Sequence, residues 1–269
     1  MYAQLVNNLD ELGFTDVEPY LSEYLTKVSK EAVSVQDALL HLTDREKHLR
    51  NQRAAQIQVT VSHFPYIKTI DEYDYHFQPS LNKTEIKDLA TLRFLDQKEN
   101  ILFYGTPGTG KTHLATAIGI EAAKKRNITY FITCHDLIQT LRKAHEENRL
   151  EARLKHFSKY KLLIIDEIGY LPVDKTGANL LFQLITKRYE HTSTIITTNQ
   201  PFSKWGEVFS DAMLANAILD RLLHHSHVIK MVGPSYRTKD YYDLIDAEEQ
   251  KPGRQKTTFS FRNFIAFRC

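Results

Sequence analysis

Cysteine is scarce in this chain of 269 residues: only Cys134 and Cys269 occur. Two thiols cannot build a cysteine zinc cluster, and a disulfide framework is not expected. A reducing, cytoplasmic setting is the expectation that follows. Long apolar runs are missing as well, since none approaches the roughly 20 residues that a membrane-spanning helix needs. The first eight residues lack a basic region followed by an apolar one, so neither a membrane anchor nor a secretory signal is expected. Net charge is also small, 35 Lys and Arg against 33 Asp and Glu, or +2 with neutral histidines. Bulk charge therefore does not point to nucleic acid, and the distribution of charge must carry any such argument. Residues 1–60 hold no glycine after Gly13, which suits long helices.

That scarcity makes the glycines at 105, 108 and 110 informative. The run Gly105, Thr106, Pro107, Gly108, Thr109, Gly110, Lys111, Thr112 fits the phosphate-binding pattern G-x-x-x-x-G-K-[ST] at every fixed position. The glycines let backbone N–H groups converge on a triphosphate. Lys111 offers a cation to the β- and γ-phosphates, and the hydroxyl of Thr112 offers a ligand to Mg²⁺. An apolar run, Ile101–Tyr104, precedes the motif, and a helical pattern (Leu114, Ala115, Ile118, Ala122) follows it. A helix starting here aims its positive end at the same anion, with His113 in its first turn. Residues 105–113 are thus the expected ATP-binding segment.

About fifty-five residues on, the apolar strand Leu162–Ile165 ends in Asp166 and Glu167. Asp166 is the expected Mg²⁺ carboxylate, and Glu167 is placed to act as general base on a water. The next strand ends in Thr197, Thr198 and Asn199. Ligands of open α/β sheets bind at the carboxyl ends of strands, so Asn199 is a candidate for the γ-phosphate or the attacking water. Arginine is the residue type that stabilises charge on a transferring phosphoryl group, but Arg221 and Arg237, taken by themselves, read equally as surface arginines.

Around these motifs, five apolar runs alternate with helical patterns: Ile101–Tyr104, Ile128–Thr133, Leu162–Asp166, Thr194–Thr198 and His227–Val232. This alternation predicts a five-stranded parallel sheet with helices on both faces, an α/β fold. Upstream, residues 1–60 read as three helices, with Leu5, Leu9 and Leu12 on the first and Pro19 opening the second. Ser34 and Asp37 cap the third, which carries Leu39, Leu40, Leu42 and Leu49. The bridge at 62–100 holds alternating aromatics at Tyr73, Tyr75 and Phe77, which predict a short extended segment. The expected divisions are a helical N-terminal domain for partner or DNA interaction (1–60), an ATPase domain (61–246) and a basic, aromatic tail (247–269). Between the second and third strands lie Arg142, Lys143, His145, Arg149, Arg153, Lys155 and Lys159, interrupted by Glu146, Glu147 and Glu151. This pattern fits a salt-bridged, solvated helix as well as a DNA surface; on the second reading Arg142 and Lys143 are the candidate phosphate contacts.

The wording of Gly105–Leu114, Leu162–Pro172, Thr194–Asn199 and Leu219–Arg237 resembles the AAA+ ATPases. It is most similar to the IstB-like transposition helper ATPases and their relative, the DnaC helicase loader. The likeness extends upstream through Phe64–Ile70, Phe77–Ser80 and Leu89–Leu95. It implies Asn199 as the first sensor, Arg221 as an arginine finger reaching a neighbouring subunit's nucleotide, and Arg237 as a second sensor within its own subunit. It also implies adenine contacts from Phe64 to Phe77 and a nucleic-acid channel lined by the helix between strands two and three. The partners implied are DNA, a transposase and further copies of the chain, with a replicative helicase as the alternative. A small-molecule kinase fits less well, because Glu167, Asn199 and the arginine pair form a water-activating, subunit-bridging set. An assembly protein that never hydrolyses nucleotide is disfavoured by Glu167.

Overall fold

The computed structural model describes residues 1–239. Three helices open the chain: α1 (Tyr2–Glu11), α2 (Glu18–Lys30) and α3 (Val35–Val61). Pro19 sits in the first turn of α2, where its missing N–H costs nothing. The hydroxyl of Ser34 accepts from the Asp37 N–H at 3.1 Å and so caps α3. That helix runs longer than the leucine pattern required. Its Leu42 packs with Val17 and Leu21 in a small apolar cluster, whereas Leu39 and Leu40 are exposed. Basic residues of α3 meet α2, the turn before it and α3's own surface. Arg45 stacks 3.9 Å over the Tyr20 ring, Arg50 pairs with buried Glu46 at 3.1 Å, and Arg53 pairs with Asp16.

The bridge differs from expectation. Tyr73, Tyr75 and Phe77 lie in turns, not in an extended segment. The carboxylate of Asp74 accepts from the N–H groups of His76 (3.1 Å) and Phe77 (3.2 Å), an Asx turn that folds the backbone where alternation alone suggested a strand. Two short helices follow, α4 (Lys83–Leu89), capped by Asn82, and α5 (Arg93–Gln97).

From residue 100 the chain alternates as expected. It runs β1 (Asn100–Gly105), α6 (Lys111–Lys124), β2 (Thr129–Thr133), α7 (Cys134–Glu146), α8 (Leu150–Ser158) and β3 (Leu162–Ile168). It continues through α9 (Lys175–Arg188), β4 (Ser193–Thr198), α10 (Trp205–Val208), α11 (Ala212–Leu223) and β5 (Ser226–Met231). The five strands form one parallel sheet in the order β2-β3-β4-β1-β5. Successive residues of a strand face opposite sides, and both sides are covered here. Leu163, Ile165 and Ile196 join the helices α7 to α11 in one apolar cluster. Leu162, Ile164, Ile195 and Phe103 join α6, α4 and α5 in the other. The expected tail at 247–269 and the last residues of the expected ATPase domain lie outside the described residues.

Candidate functional site

Four chain segments meet at the carboxyl end of the sheet. The first is the loop between β1 and α6. Gly105 adopts φ 145°, and a Cβ there would stand 1.9 Å from the Met231 carbonyl oxygen; Gly108, at φ 77°, passes equally close to the Ser235 hydroxyl. A side chain at Gly105 would drive the loop off the end of β5, and one at Gly108 would drive it off the segment that follows β5. Lys111, the first residue of α6, turns its ammonium back onto the loop, donating to the carbonyls of Gly105 (2.9 Å) and Thr106 (2.7 Å). Burial pulls its pKa down to about 8, opposed by the nearby Asp166 carboxylate. The hydroxyl of Tyr73 donates to the Thr109 carbonyl at 2.7 Å and holds the loop from the bridge side.

The second and third segments are the ends of β3 and β4. Asp166 is buried and accepts from the Thr112 hydroxyl at 3.0 Å and from the Thr197 hydroxyl. Burial raises its pKa, and these two hydroxyl bonds oppose the shift. The β3–β4 ladder is irregular between Ile165 and Ile168. There Glu167 adopts φ 63°, and its N–H donates to Thr197 Oγ1 at 2.9 Å instead of to a strand carbonyl. A non-glycine residue in the left-handed region is uncommon, and such residues cluster at functional sites. Partial burial, and secondarily the Asp166 charge, raise the pKa of the Glu167 carboxyl. At the end of β4, Oδ1 of Asn199 is buried without a hydrogen-bond partner among the described residues.

The fourth segment follows β5. Thr106 Oγ1 donates to the Gly233 carbonyl at 2.9 Å, and the Tyr236 N–H donates to the Gly108 carbonyl at 2.9 Å. These bonds fasten the turn Tyr236–Thr238 to the phosphate loop and bring Arg237 to its edge. Together the segments enclose a cavity of about 400 Å³. Residues 107–113 line it with Glu167, Asn199 and Arg237, and Tyr66, Ile67, Tyr73 and Phe77 form an aromatic and apolar side. Phe64, expected there, packs into the core cluster instead.

The residues predicted separately from sequence therefore come together, with Gly105 and Thr106 behind Lys111 and Asp166 beneath Thr112. Arg221 does not join them. It lies on α11, near the opposite end of the sheet, with its guanidinium 4.7 Å over the Phe182 ring and donating to the Ala217 carbonyl at 2.9 Å. The two DNA candidates behave differently from each other. Arg142 is half-buried and pairs with Asp174, the residue whose side chain caps α9. Lys143 is exposed and, with Arg149, Arg153 and His156, lines a groove of about 330 Å³ between α7 and α8. Sequence reasoning missed Thr197 and Tyr73 as supports of the site. The threonine pair beside Asn199 carried a signal, since a hydroxyl at the end of β4 faces the end of β3.

The residues fit ATP with Mg²⁺. The loop's approach to Met231 and Ser235 leaves room only for glycine, the orphaned Asn199 oxygen lies on the cavity wall, and Thr112 with Asp166 supplies the hard oxygen donors that Mg²⁺ prefers. Among the described residues no helix is long and apolar enough to cross a membrane.

Known proteins agree with this geometry. Residues 7–243 match the family described as IstB-like ATP binding protein. A protein named for ATP binding in insertion sequence IS232 of Bacillus thuringiensis subsp. berliner is 54% identical over 241 residues, covering 90% of this chain and 96% of its own. Its counterpart in insertion sequence IS5376 of Geobacillus stearothermophilus is 46% identical over 231 residues, covering 86% and 90%. Among solved structures, a DnaC helicase loader superposes with a TM-score of 0.52 at 25% identity, covering 62% of this chain and 96% of that one. The sheet order, the phosphate loop and the match across nearly the whole chain agree: the chain belongs to the IstB-like ATP-binding proteins, on an AAA+ fold.

Proposed function

We propose that the protein is an ATP-dependent, DNA-binding helper of transposition that hydrolyses ATP. The observation that carries this reading is the shared cavity, where the phosphate loop, Glu167, Asn199 and Arg237 line one wall system above the Thr112–Asp166 pair. Lys111 would leave its own loop carbonyls for the β- and γ-phosphates. Thr112 and Asp166 would hold Mg²⁺, which when bound neutralises charge on those phosphates. Glu167, its basicity raised by its surroundings, would take the proton of a water as that oxygen bonds to the γ-phosphorus. The bond from the γ-phosphorus to the bridging oxygen breaks, leaving ADP and phosphate. Asn199 would orient the water, and Arg237 would stabilise charge from within the subunit. Tyr66, Ile67, Tyr73 and Phe77 supply the apolar surface that an adenine ring needs.

Arg221 lies outside its own subunit's cavity, so its proposed role is in trans, in a homo-oligomer assembled on DNA. The α7–α8 pair, with Lys143 facing its groove, is the proposed DNA surface. Residues 1–60 are the proposed partner-binding domain and 61–246 the ATPase domain. Relatives named for insertion sequences support a transposase as partner rather than a replicative helicase. A transposase reading frame beside the gene is the expected context.

Two variants test the chemistry. Lys111→Ala should abolish binding of a fluorescent ATP analogue. Glu167→Gln should keep binding and lose about 10²–10⁴ in turnover, the usual contribution of a general base. Wild-type turnover by Glu167→Gln would overturn the assignment.

A further inference from the structure

At the end of the sheet away from the phosphate loop, Glu190, His224 and His225 bring their ligand atoms within 4.8 Å of one another. Among the described residues this is the one cluster of at least three such side chains that meets in this way. We propose that it is a binding site for a divalent transition-metal ion, zinc foremost. The site stands apart from the ATP cavity and does not depend on how that cavity is read.

The donor set is two imidazoles and one carboxylate. Borderline nitrogen donors select zinc and its neighbours, whereas Mg²⁺ and Ca²⁺ select oxygen. Three protein ligands are also the number that leaves a position open for water. Tetrahedral donors at bond lengths of about 2.0–2.1 Å stand roughly 3.3 Å apart. Glu190 Oε1 lies 3.7 Å from His224 Nδ1, and the two imidazole ring centroids are 4.0 Å apart. All three side chains are exposed, so small rotations bring them onto one ion without moving backbone.

A plain ion pair between Glu190 and protonated His224 accounts for two of the residues. It gives no role to the second imidazole, whose ring lies against the first. A shared ion explains all three. The hydroxyl of Tyr189 lies 2.7 Å from the same His224 Nδ1, so it must turn away when that nitrogen takes the ion. Glu190 itself adopts φ 58°, which directs a non-glycine residue out of the α9–β4 turn at some cost. A bound ion would tie that turn to the end of α11, about one helical turn beyond Arg221.

The test uses the full chain and Zn²⁺ alone, titrated in competition with a chromophoric chelator. The wild-type protein should bind one zinc equivalent that the double variant His224→Ala, His225→Ala lacks. Loss of an outer-shell partner typically weakens a metal site about 10–100-fold, and Glu190→Gln, which removes a direct ligand, should weaken it at least that much. Millimolar Mg²⁺ should not displace the ion. Circular dichroism checks that the exposed substitutions leave the fold intact. On the unaltered protein, one zinc equivalent should shift the imidazole resonances of His224 and His225 together, so the outcome does not hang on the variants. Equal zinc binding by the double variant, unmoved resonances of the pair, or displacement by Mg²⁺ would each overturn the site.

Discussion

Glu167 and Arg188 show how single residues carry cost for a purpose. Glu167 holds a left-handed backbone at a break in the β3–β4 ladder, where the Thr197 hydroxyl replaces the missing strand acceptor. That substitution keeps the N–H satisfied while the carboxylate faces the cavity. Arg188, in the last turn of α9, is fully buried, and burial pulls its pKa down to about 9. Among the described residues no carboxylate pairs with it. Its guanidinium donates instead to the carbonyls of Phe157 (2.8 Å), Tyr160 (2.9 Å) and Ser193 and to the Thr194 hydroxyl (3.1 Å). Two of those carbonyls lie at the end of α8, where helical acceptors lack internal partners. Arg188→Ala strands these groups and opens a cavity. Each unmet buried group costs about 1–3 kcal/mol, partly offset by relief of the buried charge. A net loss of about 3–5 kcal/mol is expected in urea unfolding monitored by circular dichroism. A loss below about 1 kcal/mol would mean that water replaces the guanidinium at little cost.

At the scale of elements, the strands and the phosphate loop were legible because apolar runs between turn residues have few alternatives. All five expected strands lie within a residue or two of the observed ones. The bridge was misread, because aromatic alternation at Tyr73, Tyr75 and Phe77 is also what an Asx turn at Asp74 leaves behind. The short helices α4 and α5 gave too few turns to show periodicity, and they form because Ile86, Leu89, Phe94 and Leu95 bury against the sheet's core. The support of Asp166 by Thr197 depends on β3–β4 pairing, which sequence spacing does not reveal. The α7–α8 pair separates two neighbouring cations that sequence treated alike. Lys143→Glu should weaken DNA binding for all sequences and lower the slope of log affinity against log salt by about 1, one phosphate contact's worth. Arg142→Ala should act mainly on the start of α9, through the Asp174 cap, and change the salt slope less. A salt titration of both variants checks this, and equal slopes for Lys143→Glu and wild type would remove Lys143 from the DNA surface.

For the whole molecule, the decisive question is why an arginine proposed for the phosphoryl transfer sits so far from its own phosphate loop. In a parallel sheet the end of α11 leads into the start of β5, while the phosphate loop leaves the end of β1, its neighbour. Arg221 and the cavity of one subunit are thus held at opposite ends of the same rigid layer. If Arg221 takes part in the transfer as proposed, a second subunit has to bring the two together. Removal of an arginine finger typically costs about 10³–10⁵ in rate, or roughly 4–7 kcal/mol of barrier. Arg221→Ala and Lys111→Ala should therefore each be inactive alone, the first with an intact cavity and the second with an intact arginine. Mixed on DNA, after sizing shows that they assemble together, they should recover part of the ATPase rate, because the Lys111→Ala subunit lends its Arg221 to the neighbouring cavity. An arginine that worked within its own chain could give no such recovery. Co-assembled mixtures as inactive as their parents would make Arg221 a structural residue, stacked on Phe182 for the sake of the α9–α11 contact, and would leave the catalytic charge to Lys111 and Arg237.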